Sequence, residues 1–156
     1  MDAVDEVLVA AGILWLVMRQ FRWRDAAGMP RTAAVLAGLG VLLVLQSLLL
    51  DGTRWQAVDL LTLLLEAALT AALGAVMGGQ YRLRRDGPRT LARLQGRGVA
   101  LWAAFVLLRV GTLLAAEHLG ARAAASTGAL LLVFAANRAA TAAVVAGRVR
   151  GSAVPA

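Results

Sequence analysis

Four ionisable residues lie where an apolar chain tolerates them least. Asp59, Glu66, Arg109 and Arg138 each fall inside or at the edge of a long hydrophobic run. A charged side chain at the centre of a membrane helix costs about 2.5–3.5 kcal/mol on insertion scales, so each needs a partner or a task. Asp59, Thr62, Glu66 and Thr70 follow one another at spacings of three, four and four, which puts them on one helix face. Glu66 is nine residues past Ala57, about 14 Å along a helix rising 1.5 Å per residue. Two chemistries fit it. It is a paired or protonated packing residue, or it is a site for a proton, a cation or a cationic head group. Arg109 is the expected partner. It has the opposite charge and lies seven residues before Ala116, with Thr112 on its face, at a depth of about 11 Å by the same rise. An ion pair between Glu66 and Arg109 is therefore expected.

The other chemistry-bearing residues point less far. Arg138 follows Asn137, with Thr141 nearby. Either Arg138 is inside a bundle, or the membrane part ends near Ala136 and the segment from Arg138 to Arg150 runs along the surface. The second arrangement is the one expected. His118 follows Glu117 before Leu119-Gly120 and is expected as an exposed loop pair rather than a metal or proton site. One histidine cannot make a multi-histidine metal site. With no cysteine, disulfides, thiolate metal sites and cysteine nucleophiles are excluded. The chain has no His-x-x-x-His, no Gly-x-Ser-x-Gly and no carboxylate cluster, which are the usual marks of hydrolytic sites. No catalytic residue, metal or cofactor is expected, and the protein is not read as an enzyme.

The elements that position these residues are hydrophobic helices. Sixty per cent of the 156 residues are hydrophobic, against about 45–50% in a soluble domain. The apolar runs 4–18, 33–50, 57–79, 99–116 and 123–147 approach the length that crosses a hydrocarbon core, except for the short first one. Only helices and closed barrels satisfy their backbone in lipid. Barrel strands alternate in segments of about ten residues, a pattern absent here. The expectation is a single all-α transmembrane domain, 1–156, of about five spans. The acidic start, Asp2, Asp5 and Glu6, does not match a secretory signal, so the first run is expected to stay as an anchor.

Charge gives the orientation. All 16 basic residues are arginine, and the net charge is +7. Such a composition points to a GC-rich bacterial genome. Segments 19–32 and 80–97 and the tail after 147 hold twelve of the 16 arginines. Five spans put all three segments on one side. The positive-inside rule then sets the N-terminus outside and the C-terminus in the cytoplasm, in the inner membrane. Trp55 is expected at the outer interface, and Phe21, Trp23, Tyr81 and Trp102 near the inner one. In segment 80–97, Arg89, Arg93 and Arg97 recur every four residues while Leu91 and Leu94 are three apart. A short interfacial helix is expected there. Arg82, Arg84, Arg85, Arg89, Arg93 and Arg97 are the candidate contacts to anionic lipid, each worth about 1 kcal/mol near an anionic leaflet. No nucleic-acid reader motif accompanies them, and nucleic acid is not expected as a partner.

Several short motifs recur together. Met18-Arg19-Gln20-Phe21-Arg22 comes first, then Pro30 before a Gly-containing span. Leu73-Gly74-Ala75-Val76-Met77-Gly78-Gly79 leads into Arg82-Leu83-Arg84-Arg85-Asp86-Gly87. Gly96 precedes Leu101-Trp102, and Arg109-Val110-Gly111 follows. Over roughly residues 14–115 the pattern resembles the small CcdC-like bacterial membrane proteins, particularly actinobacterial ones. The resemblance implies the same membrane architecture. The family name suggests cytochrome c biogenesis, yet this chain has no Cys-x-x-Cys-His or Cys-x-x-Cys, and the family has no established activity to carry over.

A stripe of small residues, Ala67, Ala71, Gly74 and Gly78, allows close helix approach. Packing inside the bundle is the preferred use, a homodimer seam the other. These features favour a non-enzymatic accessory or subunit protein, with a protein partner or a second copy. The alternative is a component of an ion or small-molecule path lined by Glu66 and Arg109.

Overall fold

The computed structural model describes residues 22–50, 55–121 and 123–151. The expected first span, 4–18, lies outside them. Of the described residues 74% are helical. Its helices are α1 (Met29–Leu49), α2 (Ala57–Gly79), α3 (Gly98–His118) and α4 (Thr127–Gly151). All four are long and apolar enough to cross a membrane. Pro30 enters in the first turn of α1, where its missing N–H breaks no helical bond. Among the described residues no other proline falls within a helix, so Ala and Leu runs propagate uninterrupted.

Helix α4 is the axis of the bundle. It packs along both α2 and α1, while α3 lies against α2. The α2–α4 contact depends on small residues. A Cβ on Gly74 would stand 2.3 Å from the Asn137 carbonyl oxygen, and one on Gly78 would stand 2.8 Å from Val144 Cβ. The small-residue stripe thus serves a contact inside the chain. Leucines and valines of α1, α2 and α3 point outward, including Leu42, Leu61, Leu65 and Leu107. Water would penalise that surface, and a bilayer accepts it.

The protein is not all-α. Residues 80–97 form no interfacial helix. Instead β2 (Tyr81–Asp86) and β3 (Arg89–Leu94) make a hairpin, joined to the two-residue β1 (Arg24–Asp25) in the order β1-β3-β2. Asp86 pairs with Arg89 across the two-residue turn Gly87-Pro88, and Gly87 has φ +58°, as a type II′ turn requires at its first position. The arginine period of four competed with a period of two and lost. Tyr81, Leu83, Ala92 and Leu94 share one sheet face and pack on Met77, Trp102 and Val145 at one end of the bundle.

Two further expectations change. Arg138 to Arg150 is not a surface extension, because α4 runs unbroken to Gly151 and buries Thr141, Ala142 and Val145. Arg138 lies 5.8 Å from the Trp102 ring centre, a cation–π distance. Tyr81 and Trp102 are not interfacial anchors either. Both are buried, and Trp102 joins Phe105 and Phe134 in an aromatic cluster with centroids 4.8–6.0 Å apart. Trp23 is exposed and Trp55 is half-buried.

The close approach at Gly74 predicts an asymmetry between glycines. Gly74→Ala pushes a methyl into the α4 backbone, which costs about 1–3 kcal/mol, more than the ~1 kcal/mol gained in helix propensity. Gly79→Ala meets nothing within 4 Å. Thermal unfolding in detergent should show a lower Tm for Gly74→Ala and an unchanged or higher one for Gly79→Ala.

Candidate functional site

The polar face of α2 organises the interior. From Asp59 to Gly78 it meets a different partner at nearly every turn. At one end Asp59 is buried. Its Oδ2 accepts from the Gln56 backbone N–H at 2.9 Å, and its Oδ1 from those of Ala123 and Ala124 at 2.9 and 3.2 Å. The carboxylate caps α2, where the helix dipole favours negative charge, and ties down the connection between α3 and α4. That connection begins at Gly120, whose φ of +71° ends α3. The Ala121 N–H reaches back to the Ala116 carbonyl, closing a Schellman turn. Residues 123 and 124 belong to the turn that Asp59 holds, and α4 begins at Thr127, later than the expected 123, with Ser126 Oγ accepting from the Ala129 N–H as its cap.

Two turns further on, Glu66 is 1% exposed. Arg109 Nη1 donates to its Oε2 at 2.6 Å, and Thr112 Oγ1 donates to its Oε1 at 2.8 Å. Both carboxylate oxygens are engaged by α3. The structure thus brings Glu66 and Arg109 together in one ion pair. Arg109 Nε is buried without a hydrogen-bond partner. Asp59 belongs to the cap of α2 and Arg138 to the aromatic cluster, so the four candidate residues occupy three separate places. His118 and Glu117 are exposed at the end of α3. Among the described residues no group of His, Asp and Glu is placed to hold a metal ion.

Below Glu66, α4 takes over as partner. Asn137 Nδ2 donates to the Thr70 carbonyl at 2.9 Å, and Thr141 Oγ1 to the Gly74 carbonyl at 2.9 Å. Arg148 Nη1 then donates to the carbonyls of Gly78, Gly79 and Tyr81 at 3.0, 3.1 and 2.8 Å. Each helical carbonyl has a second lone pair beyond its helical bond, and a cation suits the negative end of the helix dipole. Arg148 was read from sequence only as a topology charge. Its spacing from Asn137 and Thr141, at intervals of four and seven, was the available signal for a polar face on α4.

The arginines of segment 80–97 divide by the sheet's pleat. Arg82, Arg84, Arg89 and Arg93 alternate onto the exposed face, where Arg82 is directly opposite Arg93. Arg85 pairs with Thr90 on the face that carries Tyr81 and Leu83. Arg97 precedes α3. One cavity, about 570 Å³, runs between α1 and α4 beside Ala34, Ala37, Ala139 and Ala143. Another, about 590 Å³, lies beside the hairpin. Neither is lined by Glu66 or Arg109.

No family model matches the chain, and neither a curated protein nor a solved structure matches it.

The pair makes a testable demand. Removing one member strands the other as an uncompensated charge, at about 3–5 kcal/mol, whereas replacing both by apolar residues is near neutral. Arg109→Leu and Glu66→Leu should each lower the yield of folded protein and its Tm in detergent. The double variant should recover most of the loss. Recovery in neither property would mean the two charges do not depend on each other.

Proposed function

We propose that the protein is a non-enzymatic accessory or subunit protein of a bacterial plasma membrane, crossing it several times. The observation that carries this reading is the closure of the Glu66 carboxylate, whose two oxygens are both held by α3 side chains. A group waiting for a substrate, a proton or an ion keeps an oxygen facing a cavity or water. Glu66 instead spends both on helix association. Asp59, Asn137, Thr141 and Arg148 are committed in the same way, each to backbone of a neighbouring segment. The polar interior is then a fastening rather than a path. The groove between α1 and α4 adds a concave strip of alanines, along which the backbone of a further helix can come close.

Orientation belongs to the same proposal. Every described arginine except Arg109 and Arg138 lies at the end that carries the sheet. The positive-inside rule assigns that end, with the C-terminus, to the cytoplasm. Counting the run 4–18 as a span places the N-terminus outside. The basic hairpin then faces the anionic leaflet, which attracts it whatever the lipid. The CcdC-like resemblance accords with this architecture and adds no chemistry to it.

The transport reading has one observation on its side, the unpartnered Arg109 Nε inside the bundle. Two measurements separate the readings. Native mass spectrometry of the gently extracted protein should find a protein partner or a defined oligomer. Proteoliposomes should show no ion flux that Glu66→Gln abolishes. A lone monomer, together with flux dependent on Glu66, would replace the accessory reading by the transport one.

A further inference from the structure

Among the four described helices, α4 alone exposes no large apolar side chain. Leucines and valines stand outward on α1, α2 and α3. Between the two ends of α4 the outward positions are Ala139, Ala143 and Gly147, one above another at intervals of four. At membrane depth such a line lets another backbone come close. It borders the groove of about 570 Å³ between α1 and α4, which follows α4 from Leu132 to Ala146, about 21 Å at 1.5 Å per residue. The small residues alone name no occupant, but the chain before Arg22 supplies one. The apolar run 4–18 has the same helical length, about 21 Å. From Val7 to Met18 it carries no charge, and neither does the groove lining. It also joins the described structure at the groove's own end. Arg24 and Asp25 are pinned to β3, the turn Ala26–Gly28 touches both α1 and α4, and Pro30 already lines the groove. Met18 is separated from Arg24 by six peptide steps, at most about 22 Å of chain. The run therefore has to start beside the bundle, at the end where the groove opens. A segment tethered so closely meets the groove at an effective concentration on the order of millimolar, which any free competitor has to exceed.

We propose that the run 4–18 lies in this groove as a further helix, so that the chain covers its own alanine line. The run is tethered through Met18 to the sheet end, where α4 also ends, and so it lies parallel to α4. Ala11, at the middle of the run, then comes level with Ala139, at the middle of the groove. The inference rests on the membrane-spanning reading above and not on the accessory role. It leaves the leucine-bearing outer faces of α1, α2 and α3 for contact with a partner.

The chain has no cysteine, so cysteines can be placed in chosen pairs. In the full-length protein in its membrane, Ala139→Cys, at an exposed position, is combined with a single cysteine at each position from Leu8 to Leu14, about two helical turns. Each pair is oxidised with copper phenanthroline, denatured and treated with maleimide, and the intact mass is read. A disulfide needs Cα atoms within about 7 Å. Positions on one face of the run should bridge to residue 139 within one chain and take up no maleimide, while those on the opposite face take up two. Ala139→Cys alone should stay monomeric. A disulfide dimer from Ala139→Cys alone would give the groove to a second copy and overturn the proposal. Failure of all seven pairs to bridge would overturn it as well and leave the groove to acyl chains or another protein. An impermeant maleimide on intact cells separates that failure from failure of the membrane reading. Labelling of Ala3→Cys but not of Arg89→Cys, with no bridge, would keep the run as a span and overturn only its place in the groove. Absence of both the bridge and the Ala3→Cys label would overturn the span and the proposal together.

Discussion

A carboxylate buried among apolar helices has to be neutralised by the bundle itself, and at Glu66 that requirement is most severe. The side chain is almost fully enclosed, so no water supplies its hydrogen bonds. Arg109 and Thr112 supply them from one face of α3. This fixes more than a contact. Helices in lipid have little hydrophobic reason to associate, since acyl chains are as apolar as leucine. Helix α3 presents Val106, Leu107, Val110 and Leu114 outward, and these side chains set no preferred rotation. The pair sets the rotation and depth of α3 on α2. The aromatic contacts of Trp102 and Phe105 with Phe134 then add a second point, on α4.

The same constraint governs α2 and α4, with the backbone as the polar group. A carbonyl already bonded within its helix can accept once more only if a donor comes close. Gly74 and Gly78 remove the side chains that would hold α4 away. Asn137 and Thr141 fill the short distance thereby created. Neither device works alone: without the glycines the donors do not reach, and without the donors the contact has only dispersion to hold it. The sequence of ties along α2, from Asp59 to the carbonyls held by Arg148, also fixes both ends of the bundle. The α3–α4 connection is fastened at one end and the hairpin at the other.

The parts of this arrangement that were legible in the sequence are those that need one dimension. Glu66 and Arg109 could be matched because helical rise alone gives depth, and opposite charges at equal depth in lipid have few alternatives. The four described spans follow from length and hydropathy, although α4 begins only at Thr127, after the turn that Asp59 holds, with Ser126 as its cap. What needed two dimensions was misread. Arg138 looked like the end of a span because charge normally marks one. Only the central place of α4, between α1 and α2, explains why a helix with that arginine continues inward-facing as far as Val145. Arg148 looked like a topology signal, since nothing local shows which carbonyls lie beside it.

The hairpin is the instructive case, because the deciding signal was present and outweighed. Arg89, Arg93 and Arg97 mimic one face of a helix over barely two turns. Tyr81 and Leu83, and Ala92 and Leu94, repeat at two around a Gly-Pro turn, which is the period of a strand. A sheet succeeds here because β2, β3 and β1 satisfy one another's backbone groups while one face buries Tyr81, Ala92 and Leu94 against the helix ends. Like charges opposite one another weaken a strand pair, yet Arg82 and Arg93 sit on the exposed face, where solvent screens them. The pleat also sorts the arginines. Had the segment been an interfacial helix, Arg85 would be one more charge in a cationic surface. As a strand residue it is turned to the side that Arg148 approaches, so the period of the backbone decides which of these chemically identical side chains face the helix ends and which face away.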